Sequence, residues 1–166
     1  MTRDQVDQIR EEWSAVLPDF DTASLQITGR LLRLATQVSR AAAVALTKHR
    51  LSVGDFSVLA TLRRLDRPEG VTPRELARAT MVTSGAATGR IDRLEKAGLV
   101  RRRPDPEDRR GIRVHLTSPG RRRAEAATAA VIATDEGLLA PLSEAERDRL
   151  AAALRKVSLA VERPAP

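Results

Sequence analysis

The stretch that decides the fold runs from Val71 to Leu116 and reads VTPRELARATMVTSGAATGRIDRLEKAGLVRRRPDPEDRRGIRVHL. Its first part predicts a short helix, because Thr72 is a good N-cap, Pro73 is favoured at the first helical position and Glu75 completes a capping box. The helical pattern then breaks before Thr83. A short helix followed by a break and a new helix start predicts a helix-turn-helix.

The second helix of this motif begins at Thr83 or Ser84. Its apolar residues fall at i, i+4 and i+7, the spacing of one buried helical stripe: Ala87, Ile91 and Leu94. Gly98 is expected just past the helix end, where a left-handed residue commonly closes a helix. The opposite face is polar or lacks side chains: Gly85, Gly89, Asp92, Arg93 and Lys96. Two glycines there would let the backbone approach a ligand closely.

A two-stranded hairpin follows the second helix. We predict strands from Leu99 to Arg103 and from Gly111 to Thr117. Residues 104–108 read PDPED, and two prolines in five residues favour a loop over a regular strand. Together with a helix that begins near Ser52, these elements form a lobe of residues 51–117. The sequence therefore predicts a mainly α fold with a small β-hairpin wing, a winged helix-turn-helix.

This arrangement predicts double-stranded DNA as a partner. A helix fits the major groove, and arginines at a wing tip are attracted to a narrow minor groove. The formal net charge of +7 suits a polyanion. The alternative is a charged hairpin that is simply exposed to solvent. The candidate DNA-contacting residues are Thr72, Arg74, Thr83, Ser84, Gly85, Ala86, Thr88, Gly89, Arg90, Arg93, Arg109 and Arg110.

Composition argues against several other classes of protein. The chain has no cysteine, which excludes disulfides and thiolate metal sites. His49 and His115 are far apart in sequence, so we expect no metal, no cofactor and no enzymatic activity. Only Trp13, Phe20 and Phe56 are aromatic, which disfavours recognition of single strands by stacking. We find no membrane-spanning segment and no signal peptide, and expect a bacterial, nucleoid-associated cytoplasmic protein.

The segment of residues 1–50 predicts two helices. The first runs from Asp4 to Leu17 and has Trp13 on its apolar stripe, and the second runs from about Thr22 to His49. Gly29, within the second helix, is either a weak point or a site of close packing.

The segment of residues 118–166 predicts two further helices. The first is capped at Ser118 with Pro119 behind it and runs from about Pro119 to Leu139, with Gly137 and Pro141 at its end. The second carries an apolar stripe: Leu150, Leu154, Val157 and Val161. This stripe and that of the N-terminal helix lack a full set of partners in a single chain. We therefore expect both terminal segments to act as dimerisation helices in a homodimer.

Residues 83–120, TSGAATGRIDRLEKAGLVRRRPDPEDRRGIRVHLTSPG, resemble the central signature of the multiple-antibiotic-resistance regulator (MarR) family of bacterial transcription factors. The wing motif of that family is an Asp, an Arg two positions on and a later Leu-Thr, which match Asp108, Arg110 and Leu116-Thr117. The resemblance runs roughly from Leu25 to Leu159. It implies an obligate dimer on a pseudo-palindrome, with Arg110 in the minor groove and Asp108 bracing the arginines of the wing.

One branch of this family responds to urate and has an additional N-terminal helix with a tryptophan. The chain is similar to that branch in the helix that carries Trp13 and in Arg90 and Arg102, which stand where the branch places anion-binding arginines. Ser57 stands where the branch has a ligand-contacting Asp, and a hydroxyl cannot hold an arginine by charge. The resemblance implies a pocket for a small anionic or aromatic effector at these four residues, with urate disfavoured. Trp13 can instead be a packing residue of the dimer core.

Three functions remain open on the sequence. We favour a sequence-specific transcriptional regulator, which by the habit of the family would be a repressor. The second is a winged-helix module that binds DNA without sequence preference or binds a protein partner, because Gly85 and Gly89 offer no side chains to base edges. The third is an enzyme, for which no constellation of residues argues.

Overall fold

A computed structural model describes residues 3–108 and 110–162 of the chain. Within these ranges, the elements in chain order are α1 (Gln5–Val16), α2 (Leu25–Thr47), α3 (Val53–Leu65), α4 (Pro73–Ala79), α5 (Ser84–Lys96), β1 (Val100–Pro104), β2 (Ile112–Leu116), α6 (Ser118–Leu139) and α7 (Glu144–Val161). The predicted mainly α fold with a hairpin wing is confirmed. Arg109, a candidate DNA contact, lies outside the described residues.

The N-terminal helices α1 and α2 pack against each other at a glycine. A Cβ atom added at Gly29 would lie 3.2 Å from Val6 Cγ1, and Val6 is buried. Gly29 is therefore a close-packing site. Helix α2 begins at Leu25 rather than near Thr22, because Asp21 accepts a hydrogen bond from the Ala23 N–H and closes a turn before the helix.

The hydrophobic core lies in the lobe formed by α3, α4, α5 and the hairpin. Its largest fully buried side chains come from several helices and from both strands: Leu46, Val58, Leu59, Val71, Leu76, Ile91, Val100 and Val114. Leu46 belongs to α2, and Ala124 and Ala127 of α6 join the same cluster. Each large apolar side chain buried in this way contributes about 1.5–3 kcal/mol. The lobe is therefore packed onto the end of α2 and the beginning of α6.

The start of α6 is fixed by one glycine and one threonine. Thr117, rather than the predicted Ser118, is the N-cap, since its hydroxyl accepts from the Gly120 N–H at 3.0 Å and donates to the Gly98 carbonyl at 2.7 Å. A Cβ atom at Gly120 would lie 1.8 Å from the Leu99 carbonyl oxygen, so only glycine fits there. The helix predicted from about Pro119 to Leu139 is observed as α6, Ser118–Leu139, and it passes through Gly137 because the neighbouring alanines and leucines favour helix.

The wing is an antiparallel pair whose register runs from Val100 opposite Leu116 to Pro104 opposite Ile112. Val114, in the middle of β2, also forms a bridge to Val71 just before α4. The base of the wing is thus tied to the lobe.

Candidate nucleic-acid interface

Helix α4 is fixed by the predicted capping box. The Thr72 hydroxyl accepts from the Glu75 N–H at 3.2 Å, and the Glu75 carboxylate accepts from the Thr72 N–H and hydroxyl, each at 2.9 Å. Arg67 donates to the same carboxylate at 2.7 Å. The bonds from Thr72, and then that from Arg67, lower the pKa of Glu75 to about 2. The hydroxyl of Thr72 is thus engaged within the cap, whereas Arg74 is exposed on the first turn.

The turn between α4 and α5 contains a residue in the left-handed conformation, Met81, with φ of 52°. Helix α5 then begins, and the Thr83 hydroxyl accepts from the Ala86 N–H at 3.3 Å. One side of α5 is buried as predicted: Ala87, Ile91 and Leu94. The other side, which we call the reading face, is exposed or half-exposed and consists of Thr83, Ser84, Gly85, Ala86, Thr88, Gly89, Arg90 and Arg93.

The two glycines of the reading face are not required by packing within the chain. A Cβ atom at Gly85 would meet nothing within 4 Å, and one at Gly89 would meet only the Arg93 side chain, at 3.9 Å. Neither glycine has a positive φ. Their lack of a side chain therefore leaves open backbone at the N-terminal end of α5, where N–H groups are available to phosphate.

An acidic residue that the sequence analysis did not single out ties α5 to α3. Arg93 Nη2 donates to Asp55 Oδ1 at 2.9 Å, and the Asp55 side chain is only 15% exposed. The Arg90 guanidinium lies over Gly54, where an added Cβ would be 2.7 Å from its Cζ. Ser52 donates to Asp55 at 2.7 Å and holds the carboxylate in place. The capping pattern Ser52-x-x-Asp55 was a signal for the bond between Ser52 and Asp55, but not for the pairing of Asp55 with Arg93.

One arginine of the wing, Arg113, is held by Asp105, a carboxylate that the sequence did not single out. Arg113 Nε lies 2.9 Å from Asp105 Oδ2, and both side chains are largely buried. The Arg113 guanidinium lowers the pKa of Asp105. Within the described part of the wing, Asp108 instead accepts from the backbone N–H of Arg110 at 2.9 Å. Asp108 therefore shapes the turn that presents Arg110, whose side chain is exposed.

The four residues predicted to form an effector pocket do not share a cavity within one chain. Trp13 lines a cleft of about 320 Å³ beside Leu17 and Phe20. Ser57 lines another, of about 850 Å³, between α3 and α6, and its hydroxyl donates to the Val53 carbonyl at 2.9 Å. Arg102 is paired with two carboxylates of α5, those of Asp92 and Glu95. The pocket stays a prediction that only a second chain can complete.

The model of the MarR family matches residues 51–112, from just before α3 to the first residue of β2. Over 153 residues the chain is 33% identical to the HTH-type transcriptional regulator PecS of Dickeya dadantii, covering 92% of each chain. The chain belongs to the MarR family. It is accordingly a DNA-binding transcriptional regulator and not an enzyme.

Solved structures of MarR-family regulators share the fold. A mutant of Escherichia coli MarR in complex with operator DNA is 29% identical, with a TM-score of 0.69 over 87% of this chain and 96% of that one. CouR of Rhodococcus jostii RHA1, bound to p-coumaroyl-CoA, is 30% identical, with a TM-score of 0.71 over 88% of this chain and 100% of that one. One of these two solved structures thus contains operator DNA, and the other contains a small organic ligand.

Across residues 3–108 and 110–162, no helix has the length and apolarity needed to cross a bilayer. In the same part of the chain, no cluster of three or more histidine, aspartate and glutamate side chains is arranged to hold a metal ion.

Proposed function

We propose that two copies of this chain form a homodimer that places two reading faces in successive major grooves of a pseudo-palindromic operator and represses transcription. The observation that carries this proposal is the open N-terminal end of α5 beside a wing whose Arg110 is exposed. Helix α5 then enters the major groove of one half-site, and the wing contacts the flanking minor groove. The two half-sites would lie about 34 Å apart, one turn of DNA. Such a protein works on the nucleoid, in the bacterial cytoplasm.

The dimer is supported by apolar surface that one chain leaves uncovered. No residue of α7 is buried. Several large apolar side chains of the terminal segments are more than one third exposed: Trp13, Phe20, Leu31, Leu34, Leu150, Leu154 and Val157. A surface of this extent is typical of an interface rather than of a monomer. A second copy offers the same surface, so a two-fold arrangement buries both.

Release by a small anionic or aromatic effector is the second part of the proposal. Arg90 and Arg93 of the reading helix lie against Gly54 and Asp55 at the start of α3. An anion that reaches these arginines would compete with Asp55 for them and would change how α5 is held on α3. Because DNA accepts only one spacing of the two reading helices, such a shift lowers operator affinity.

The test is a mobility-shift titration of the pure protein on the DNA that flanks its own gene, with excess random competitor DNA. Parallel lanes contain urate or an aromatic carboxylate. We expect a discrete complex that survives competitor and is lost with an effector. In the Arg90→Ala variant, the effector should no longer release the DNA.

Each alternative has its own outcome. A smear that competitor erases would contradict a specific operator and would favour the module that binds DNA without sequence preference. A specific complex that no effector releases would support the repressor but contradict its release by a small anionic or aromatic effector. An unchanged effector response in Arg90→Ala would remove the arginines of α5 from the mechanism.

A further inference from the structure

A second concentration of positive charge lies away from the reading face, where the end of α2 meets the beginning of α6. A cleft of about 390 Å³ is lined there by five basic side chains: Lys48, His49, Arg50, Arg122 and Arg123. We call it the basic cleft. Pro119 and Ala126 complete its wall, and the four α6 residues fall on one helical face, at i, i+3, i+4 and i+7. We propose that the basic cleft binds a small ligand that carries two or more phosphate groups.

The charges of the basic cleft are not balanced by the chain. Within residues 3–108 and 110–162, none of its five basic side chains takes part in an ion pair or a side-chain hydrogen bond. The nearest acidic residues along the chain are already engaged: Glu125 pairs with Arg63 at 2.7 Å, and Asp55 pairs with Arg93 at 2.9 Å. Arg122 and Arg123 also lie near the positive end of the α6 dipole. An anion would relieve this repulsion.

The backbone supports a binding role for one of the five. Arg50 follows the end of α2 with φ of 53°, in the left-handed region where glycine is the usual residue at a helix end. The strained backbone at Arg50 destabilises the fold, and packing of its side chain does not offset this, because the Arg50 side chain is exposed. Strain of this kind is found at ligand sites, where the side chain must point in one direction.

The position of the cleft disfavours operator DNA as its occupant. Helix α6 begins against Leu99, just beyond the C-terminal end of α5. The reading face begins at the other end of that helix, which at 13 residues is roughly 20 Å long. The loop of the wing is separated from α6 by the whole of β2, five residues or roughly 16 Å. The cleft thus lies behind the surface that addresses DNA.

The distribution of exposed apolar side chains also disfavours a partner subunit as the occupant of the basic cleft. Five of the six exposed large apolar side chains of α2 lie between Ile27 and Val38, away from the cleft: Ile27, Leu31, Leu32, Leu34 and Val38, with Val44 the sixth. On α6 the exposed ones are Ile132, Leu138 and Leu139, again at the far end. The dimer surface and the basic cleft therefore occupy opposite ends of the α2–α6 pair.

Charge and size fit a compact polyanion. Lys48, Arg50, Arg122 and Arg123 carry four permanent positive charges, and one phosphate group carries about −1.5 to −2 at neutral pH. Guanidinium groups bind phosphate through two parallel hydrogen bonds. A volume of about 390 Å³ lies within the usual range for small-ligand sites.

The experiment is a calorimetric titration of the full chain with tripolyphosphate, pyrophosphate and orthophosphate at about 0.15 M salt, where weak surface attraction is screened. We expect saturable binding of the first two, one ligand per chain, and little binding of orthophosphate. The double variant Arg122→Gln/Arg123→Gln should lose at least tenfold in affinity. The matched control Arg149→Gln/Arg155→Gln removes the same charge from α7 and should bind as before.

Two further measurements keep the result unambiguous. Arg50→Gly removes a cation and relieves the backbone, so affinity should fall while the Tm is equal or higher, which a misfolded variant would not show. Protein saturated with duplex DNA should still bind tripolyphosphate. Binding that DNA displaces, equal loss in the α7 control, or unchanged affinity in both cleft variants would each overturn the proposal.

Discussion

At the scale of single residues, Arg110 and Arg113 of the wing have opposite tasks. Arg113 is largely buried and paired with Asp105, so its charge is neutralised within the protein. Arg110 is exposed, and Asp108 fixes only its backbone N–H. A guanidinium that no carboxylate holds can pair with DNA without first breaking an ion pair. We therefore propose Arg110 as a residue through which the described part of the wing contacts DNA.

Replacing Arg110 with Ala should weaken specific binding and reduce its dependence on salt. Each phosphate contact contributes about 0.9 to the slope of log affinity against log salt, so the slope should fall by about that amount. Fluorescence anisotropy with labelled operator at several salt concentrations measures both quantities. Arg149→Ala, which removes an exposed arginine of α7, is the matched control. A slope and an affinity that match the wild type would exclude Arg110 from the interface.

At the scale of elements, the capping box of α4 links helix stability to pH. The pKa of Glu75 is lowered from 4.5 to about 2 by Thr72 and Arg67. A carboxyl whose pKa falls on folding stabilises the folded state when it is ionised. Its contribution is fully present above pH 4.5 and is lost as the pH falls towards 2. The helix that supports α5 is thus weakened in acid.

Glu75→Gln should therefore destabilise the protein at pH 7 and much less near pH 3. We expect a difference in the free energy of unfolding of about 1 kcal/mol at pH 7, the usual size of a cap effect and not more, because the Glu75 side chain is partly exposed to solvent. Urea denaturation at the two pH values measures it, with Glu12→Gln on α1 as control. A difference that does not change with pH would contradict the role of the charge.

The same elements show what sequence patterns can and cannot predict. The boundaries of α4 and α5 follow from local chemistry, caps and periodicity, and the structure places them within a residue of expectation. The ion pair between Asp55 and Arg93 joins residues 38 positions apart, and no local pattern records such a distance. For the same reason the pairing of Arg113 with Asp105 was not predicted: Asp105 and Asp108 both flank the turn, and only the folded hairpin shows that Asp105 is the buried one.

At the scale of the whole molecule, function depends on surface that a single chain leaves exposed. Helix α7 buries no residue, and an isolated helix of this kind is stabilised mainly by packing. Its apolar stripe includes Leu150 at 42% and Leu154 at 36% exposure. The stripe of α7 therefore stabilises the protein only if a second chain covers it, and two-fold symmetry means that one substitution changes the interface twice.

Leu154→Glu should accordingly separate the dimer. Loss of about 2 kcal/mol of apolar burial on each side, before any cost of burying the charge, raises the dissociation constant roughly a thousandfold. Sedimentation velocity should show a monomer at micromolar concentration, while Arg155→Glu, on the opposite face of α7, should remain a dimer. Operator affinity should fall with the dimer, because a monomer engages one half-site and loses the gain of linked binding. A Leu154→Glu protein that stays dimeric and binds its operator normally would show that α7 lies outside the interface.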